Sequence, residues 1–234
     1  MDYIARGFVD AIGIILRFDG TFADIVLRSL FVSFSATMIA SMIAVPLFMF
    51  LGLKEFRGES VISRLLNTFM SMPSVIVGLL VMLFLARRGP LGYLNLLYSV
   101  GAMIIAQTVL IFPLISAMTY ELSKQSGRSV KRLAQTLGAG GIHAAAMAIR
   151  ELKEFLFIYV ITAFSRAISE VGAVMMVGGN ITGHTNVMTT TISKYNSMGE
   201  YELAISLGII LLLLSSVINW VAYSFKEKGL KYGG

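Results

Sequence analysis

The sequence contains no cysteine, two histidines, four prolines and one tryptophan, and only 14% of its 234 residues are charged. Without cysteine there is no disulfide framework, no thiol nucleophile and no thiolate metal site. His143 and His184 lie far apart with no partner at metal-ligand spacing, so neither a zinc centre nor a histidine-based triad is expected. No G-x-x-x-x-G-K-S/T run occurs, so the chain is not expected to bind nucleotide through a P-loop. Any energy it uses has to come from another subunit or an ion gradient. Residues 1–24 contain four aspartates and lack a basic start followed by an apolar core, so no cleavable signal is expected.

What is present is apolar. Hydrophobic residues make up 56% of the chain, and the mean hydropathy is +0.80, far from an ordinary soluble domain. The pattern predicts an all-α polytopic membrane protein with about five spans, at 25–53, 65–86, 92–120, 154–177 and 203–225. The first includes twenty-five uncharged residues, 29–53, enough to cross a hydrocarbon layer of about 30 Å. The second contains Met72-Pro73-Ser74 and Gly78, which free backbone groups and allow close helix approach. The uncharged run preceding Tyr120 exceeds one crossing, so its first turns are expected in the outer interface. Ahead of these spans, residues 1–24 show the apolar spacing of an amphipathic helix lying on the outer membrane face. Residues 226–234 form a short basic tail.

The +6 net charge does not call for nucleic acid, because the basic residues cluster in the loops between apolar runs, where orientation in the bilayer accounts for them. Twelve fall in loops assigned to the cytoplasm and six in outer segments. This count predicts an outer amino terminus and a cytoplasmic carboxyl terminus. The Arg87-Arg88 pair opposes it.

The longest polar interval, 124–153, carries Lys124, Arg128, Lys131, Arg132, Arg150 and Lys153 and is interrupted by Gly138, Gly140 and Gly141. It reads as a short helix, a glycine bend and a second short helix on the cytoplasmic side. Ala134-Gln-Thr-Leu-Gly138-Ala139 and the small and apolar residues after it resemble the cytoplasmic loop of type I ABC importer permeases, which docks into a groove on the ATPase subunit. The sequence has Arg132-Leu133-Ala134 where that family has Glu-Ala-Ala, and Arg150-Glu151 where it commonly has Leu-Pro. The resemblance implies docking through Arg132, Ala134, Thr136, Leu137, Gly138, Ala139, Gly140 and His143.

Within the fourth span, Arg166 and Glu170 are four residues apart, so they are expected on one helix face, neutralising each other. Ser165, Ser169 and Gly172 follow a neighbouring line. Either a packing salt bridge or the wall of a solute pathway fits this pattern. Phe164-Ser-Arg-Ala-Ile-Ser-Glu-Val-Gly-Ala173 is similar to the fourth-helix motif of oxyanion importer permeases for molybdate, sulfate and tungstate. The continuation through Val174-Met-Met-Val-Gly-Gly-Asn180 and Val187-Met-Thr-Thr-Thr-Ile192 is closer to the tungstate group, as is the missing Leu-Pro.

Residues 178–201 read as a polar outer loop. Asn180, Thr185, Thr189 and Thr190 offer neutral donors, suited to passing a divalent oxyanion without trapping it, although turn composition alone also predicts such a loop.

The resemblance implies a homodimer served by two ABC ATPases, with ATP and Mg held on the ATPase and no cofactor in this chain. An extracytoplasmic solute-binding protein would deliver the oxyanion. An ion-coupled transporter working through Glu170 stays open as an alternative, against which stands the lack of a second intramembrane acid or of a repeat between halves. A membrane enzyme would need further convergent groups.

Overall fold

Helix α1, Gly20–Gly52, is uncharged beyond Arg28, so residue size rather than polarity decides which side it buries. Ser29, Ser33, Ala36, Thr37, Ala40 and Ala44 are buried, whereas Phe31, Phe34, Met42, Leu47 and Phe50 stay exposed. In lipid, apolar burial supplies no drive between helices, and small residues permit the close contact that does. The small face lies along α4, Val100–Leu122, with Ile111 and Ile115 seated against Ala36, Ala40 and Ala44. Ser29 and Thr37 return their hydroxyls to the carbonyls of Ile25 and Ser33, both at 2.7 Å, so neither of these two donors is stranded.

The computed structural model describes residues 20–232 together with Arg6 and Gly13; in the last helix the described side chains are those up to Val221 and that of Ser224. Most of the amphipathic segment expected at 1–24 lies outside the described residues, as do the side chains of the tail at 226–234; residues 20–24 are the first of α1. Among the described residues there is no strand.

The expected second span is two helices. α2, Glu59–Met70, and α3, Ser74–Leu85, meet at 91°. Pro73 sets this corner: it stands just before α3 with φ −60° and ψ 131°, and its ring excludes Met72 from helical geometry. Each arm has twelve residues, about 18 Å, too short to cross alone.

The chain then makes a 3-10 turn at Gly92–Leu94 and enters α4 at Ser99, whose hydroxyl accepts the Ala102 N–H at 3.3 Å. The extra length of the third run is thus spent before the helix.

α4 does not stop at its polar end. It passes through one π turn, Ser123–Gly127, into α5, Arg128–Thr136, giving a continuous helical path of 37 residues. After a bend at 137–140, α6 runs from Gly141 to Ile168. The two short helices expected in the 124–153 interval are therefore the protruding ends of two spans.

The fourth span breaks at 169–171 and resumes as α7, Gly172–Gly178, turned by 59°. α7 packs on α3, where Gly78 abuts the Ala173 backbone, and both close a core with Met103, Ala106 and Leu110 of α4. The outer loop contains an unforeseen helix, α8, Met188–Met198, ended by Gly199 at φ +79°. α9, Tyr201–Tyr232, completes the chain. Among the described residues three helices are long and apolar enough to cross a membrane, or up to five if each bent pair counts as one span.

Candidate functional site

The hairpin formed by α5, the bend and the start of α6 exposes apolar side chains at its tip. Leu133 is 62% exposed, Leu137 79% and Ile142 86%. Gly138 has φ +91°, a left-handed conformation that favours glycine. The Thr136 hydroxyl bonds the Leu133 carbonyl at 2.7 Å. The Ala139 N–H bonds the buried Ala134 at 3.0 Å, and the Gly140 carbonyl accepts the Ala144 N–H at 2.9 Å. His143 is exposed beside them. The bend is thus closed internally and presents apolar surface outward, as a docking knob requires.

At the hairpin's root the guanidinium of Arg128 holds three elements together. Its Nε donates to the Gly52 carbonyl at 2.8 Å and Nη2 to the Lys54 carbonyl at 2.6 Å. Both terminal nitrogens reach the Glu59 carboxylate, at 3.1 and 2.8 Å. Arg128 thereby satisfies carbonyls at the end of α1 and fixes the start of α2. The Arg128 hydrogen bond holds the Glu59 carboxyl below its ordinary value, aided by the Phe56 N–H and by Lys124 and opposed by burial. Arg132 pairs with Glu55 on the exposed side. These basic residues, with Lys54, Lys131, Gln135 and Leu53, line a groove of about 360 Å³. Neither the Arg128–Glu59 clamp nor the apolar tip was evident from sequence, because each depends on side chains brought together across the fold.

In the middle of the molecule the expected Arg166–Glu170 pair does not form. α6 ends at Ile168, so Glu170 leaves the helix that would have set it one turn beyond Arg166. Glu170 is buried and its Oε1 accepts the Ala173 N–H at 3.1 Å, capping α7. Arg166 is exposed, and among the described residues no hydrogen bond or ion pair reaches it. Ser169 is also exposed and Ser165 half-buried, with Ser169 bonding the Ser165 carbonyl at 2.9 Å. Ser165 in turn bonds Asn219 of α9 at 3.3 Å. Thr162, Arg166 and Ser169 thus form an exposed polar stripe on α6, joined by Asn219, which the sequence reading overlooked although no other asparagine lies in the fifth span. Gly172, by contrast, is packed against α3, where an added Cβ would meet Val75 at 2.8 Å.

The donors expected to be open in the outer loop are spent within it. Thr185 is buried; its hydroxyl donates to the Gly178 carbonyl at 2.6 Å and accepts the Ile181 N–H at 2.9 Å. Thr189 donates to the Glu170 carbonyl at 2.7 Å, and Thr190 accepts the Val187 N–H at 3.1 Å. Asn180, at φ 49°, donates through Nδ2 to the Thr190 carbonyl at 3.1 Å. These four residues fold the loop onto the broken span.

Comparison with known proteins agrees with this architecture. The family model for the binding-protein-dependent transport system inner membrane component matches residues 44–228. The tungstate uptake system permease protein TupB of Peptoclostridium acidaminophilum is 53% identical over 97% of this chain and 100% of its own length. Its namesake in Campylobacter jejuni is 30% identical over 97% of this chain and 95% of its own. The sulfate transport system permease protein CysW of Escherichia coli K12 is 27% identical, covering 79% and 71%. A membrane chain with bent spans, no P-loop and a match over most of its length belongs to the family of binding-protein-dependent transport system inner membrane components.

Proposed function

We propose that this chain is the permease subunit of an ATP-driven importer that takes tungstate into the cell. The observation that carries the reading is the apolar knob at the tip of a helical hairpin continuous with two spans. A motor gripping Leu133, Leu137 and Ile142 would act on α4 and α6 without an intervening flexible loop. Nucleotide and Mg belong on a separate ATPase, two copies of which serve a permease homodimer, and a solute-binding protein delivers the oxyanion from outside. The hairpin faces the cytoplasm and the amino terminus the exterior, in line with the distribution of basic residues.

Arg166 supports the pathway. A charged side chain within a membrane span is costly and faces a bundle interior or a water-filled cavity, so the stripe of Arg166 belongs against water or another chain rather than lipid. ATP binding closes the motors and draws the hairpins together, and the polar stripes of two copies part toward the outside; hydrolysis reverses the motion. Tungstate is preferred over sulfate because 53% identity to a tungstate permease exceeds 27% to a sulfate one. Glu170 is engaged in capping α7, which disfavours a proton-carrying role.

The test is uptake into proteoliposomes containing the permease, its ATPase and the binding protein loaded with tungstate. Uptake should require ATP and all three proteins. ATP-free accumulation by this chain alone would overturn the reading.

A further inference from the structure

Arg28 lies near the amino end of α1, and among the described residues its guanidinium meets no carboxylate. Nη1 donates to Asn186 Oδ1 at 2.5 Å and to the Asn186 carbonyl at 3.0 Å, while Nη2 donates to the Gly183 carbonyl at 2.8 Å. Asn186 is 5% exposed, and its Oδ1 also accepts the Gly183 N–H at 3.0 Å. One residue further on, the Ser29 hydroxyl accepts the Met188 N–H at 2.8 Å, at the start of α8. Loop 179–187 is therefore bonded to α1, more than 150 residues away in sequence.

The other end of α1 is held as closely. An added Cβ on Gly52 would lie 2.8 Å from the Tyr120 carbonyl oxygen, so the α1 backbone contacts α4 just before the π turn. Arg128, the first residue of α5, holds the Gly52 carbonyl. Between these attachments α1 runs as one helix, with Pro46 inside it as a residue whose nitrogen adds no hydrogen bond to the ladder, and Arg28 and Gly52 lie about 36 Å apart along its axis.

We propose that α1 is a connecting rod between the cytoplasmic hairpin and the outer loop, and that Arg28 is the positioning residue at its outer end. Motion of α5 pulls on Gly52 through Arg128, and the rod carries it to the turn at Gly183–Asn186. A guanidinium suits this role because its planar fork holds two groups of one residue and a third acceptor beyond, whereas an ammonium is a point donor. Neutral acceptors also let the loop shift without separating an ion pair.

The proposal rests on the transporter reading only for its second measurement. The first is amide hydrogen exchange on the purified chain. Arg28→Gln should speed exchange across residues 181–188 at least tenfold and leave the hairpin at 133–142 unchanged; an increase below threefold overturns the latch. Asn186→Ala removes one acceptor atom and should give the same pattern if Arg28→Gln fails to fold. Arg28→Lys with Asn186→Asp, which substitutes an ion pair, should return at least half of the protection.

The second measurement uses the assembled complex. Arg28→Gln should retain basal ATP hydrolysis and lose at least fivefold of its stimulation by the tungstate-loaded binding protein. Full stimulation despite a loosened loop overturns the rod. If the wild-type complex shows no ATP-driven uptake, the transporter reading fails, and the exchange measurement still decides the latch.

Discussion

Replacing Gly78 with alanine adds one methyl group where two short helices touch backbone to backbone. Its Cβ would lie 2.6 Å from the Ala173 Cα, 3.1 Å from the Ala173 carbonyl oxygen and 3.2 Å from the Met176 Cβ. Ordinary carbon contacts start at about 3.5 Å, so α3 and α7 must separate by about 1 Å, and a gap of that size forfeits a quarter to a half of each dispersion contact across the seam. Overpacking of this kind costs about 1–3 kcal/mol. Alanine returns about 1 kcal/mol as the better helix former, leaving a net loss of up to about 2 kcal/mol.

Gly208 in α9 provides the control, since an added Cβ there meets nothing within 4 Å. Gly208→Ala should gain about 0.8–1.0 kcal/mol from helix propensity alone. Thermal unfolding in a single detergent reads both. Gly78→Ala should lower the midpoint by up to roughly 8 °C and Gly208→Ala raise it by roughly 2–4 °C, using the scaling for chains of this size. A Gly78→Ala midpoint raised as far as that of Gly208→Ala would refute the close seam between α3 and α7.

Charging the hairpin tip with Leu137→Asp or Ile142→Asp should abolish co-purification of the ATPase while leaving the permease's melting midpoint unchanged; retained ATPase would remove the tip from docking. Glu170→Gln keeps an acceptor for the Ala173 N–H and should remain folded, whereas Glu170→Ala should lose about 1–3 kcal/mol as that buried donor goes unpaired, measurable by thermal unfolding. Because Glu59 titrates below its ordinary value of 4.5, its pairing with Arg128 stabilises the fold above that value and is lost as pH falls through the lowered one. Hydrogen exchange at 52–59 should accordingly rise only as pH falls below the ordinary value of 4.5, and Glu59→Gln should abolish this acid limb.

Sequence reading found the long apolar helices because lipid imposes a length and a charge rule on every crossing. Uncharged runs marked α1, α4 and α9, and Gly138 marked the bend. It failed where geometry depends on a single backbone break. Met72-Pro73-Ser74 was visible, yet nothing local states whether proline bends a helix slightly or turns it by 91°. No proline marks 169–171, so the fourth span read as continuous and Arg166 seemed paired with Glu170. Thr185, Thr189 and Thr190 read as open donors because composition cannot distinguish a solvated turn from a buried one. Arg28 was only one of the six basic residues counted in outer segments; its acceptors lie more than 150 residues downstream.

The π turn at Ser123–Gly127 sets the rotational phase between α4 and α5. The Arg128 N–H reaches back to the Ser123 carbonyl, five residues earlier, so the winding holds one residue more than an α-helix would use. Deleting one residue from this interval would restore ordinary winding and rotate everything beyond it by about 100°. Leu133 and Leu137 would then point along a different compass bearing, with every span still in place. The extra residue thus works as an angular setting, a means of re-aiming the hairpin tip without altering the transmembrane sequence.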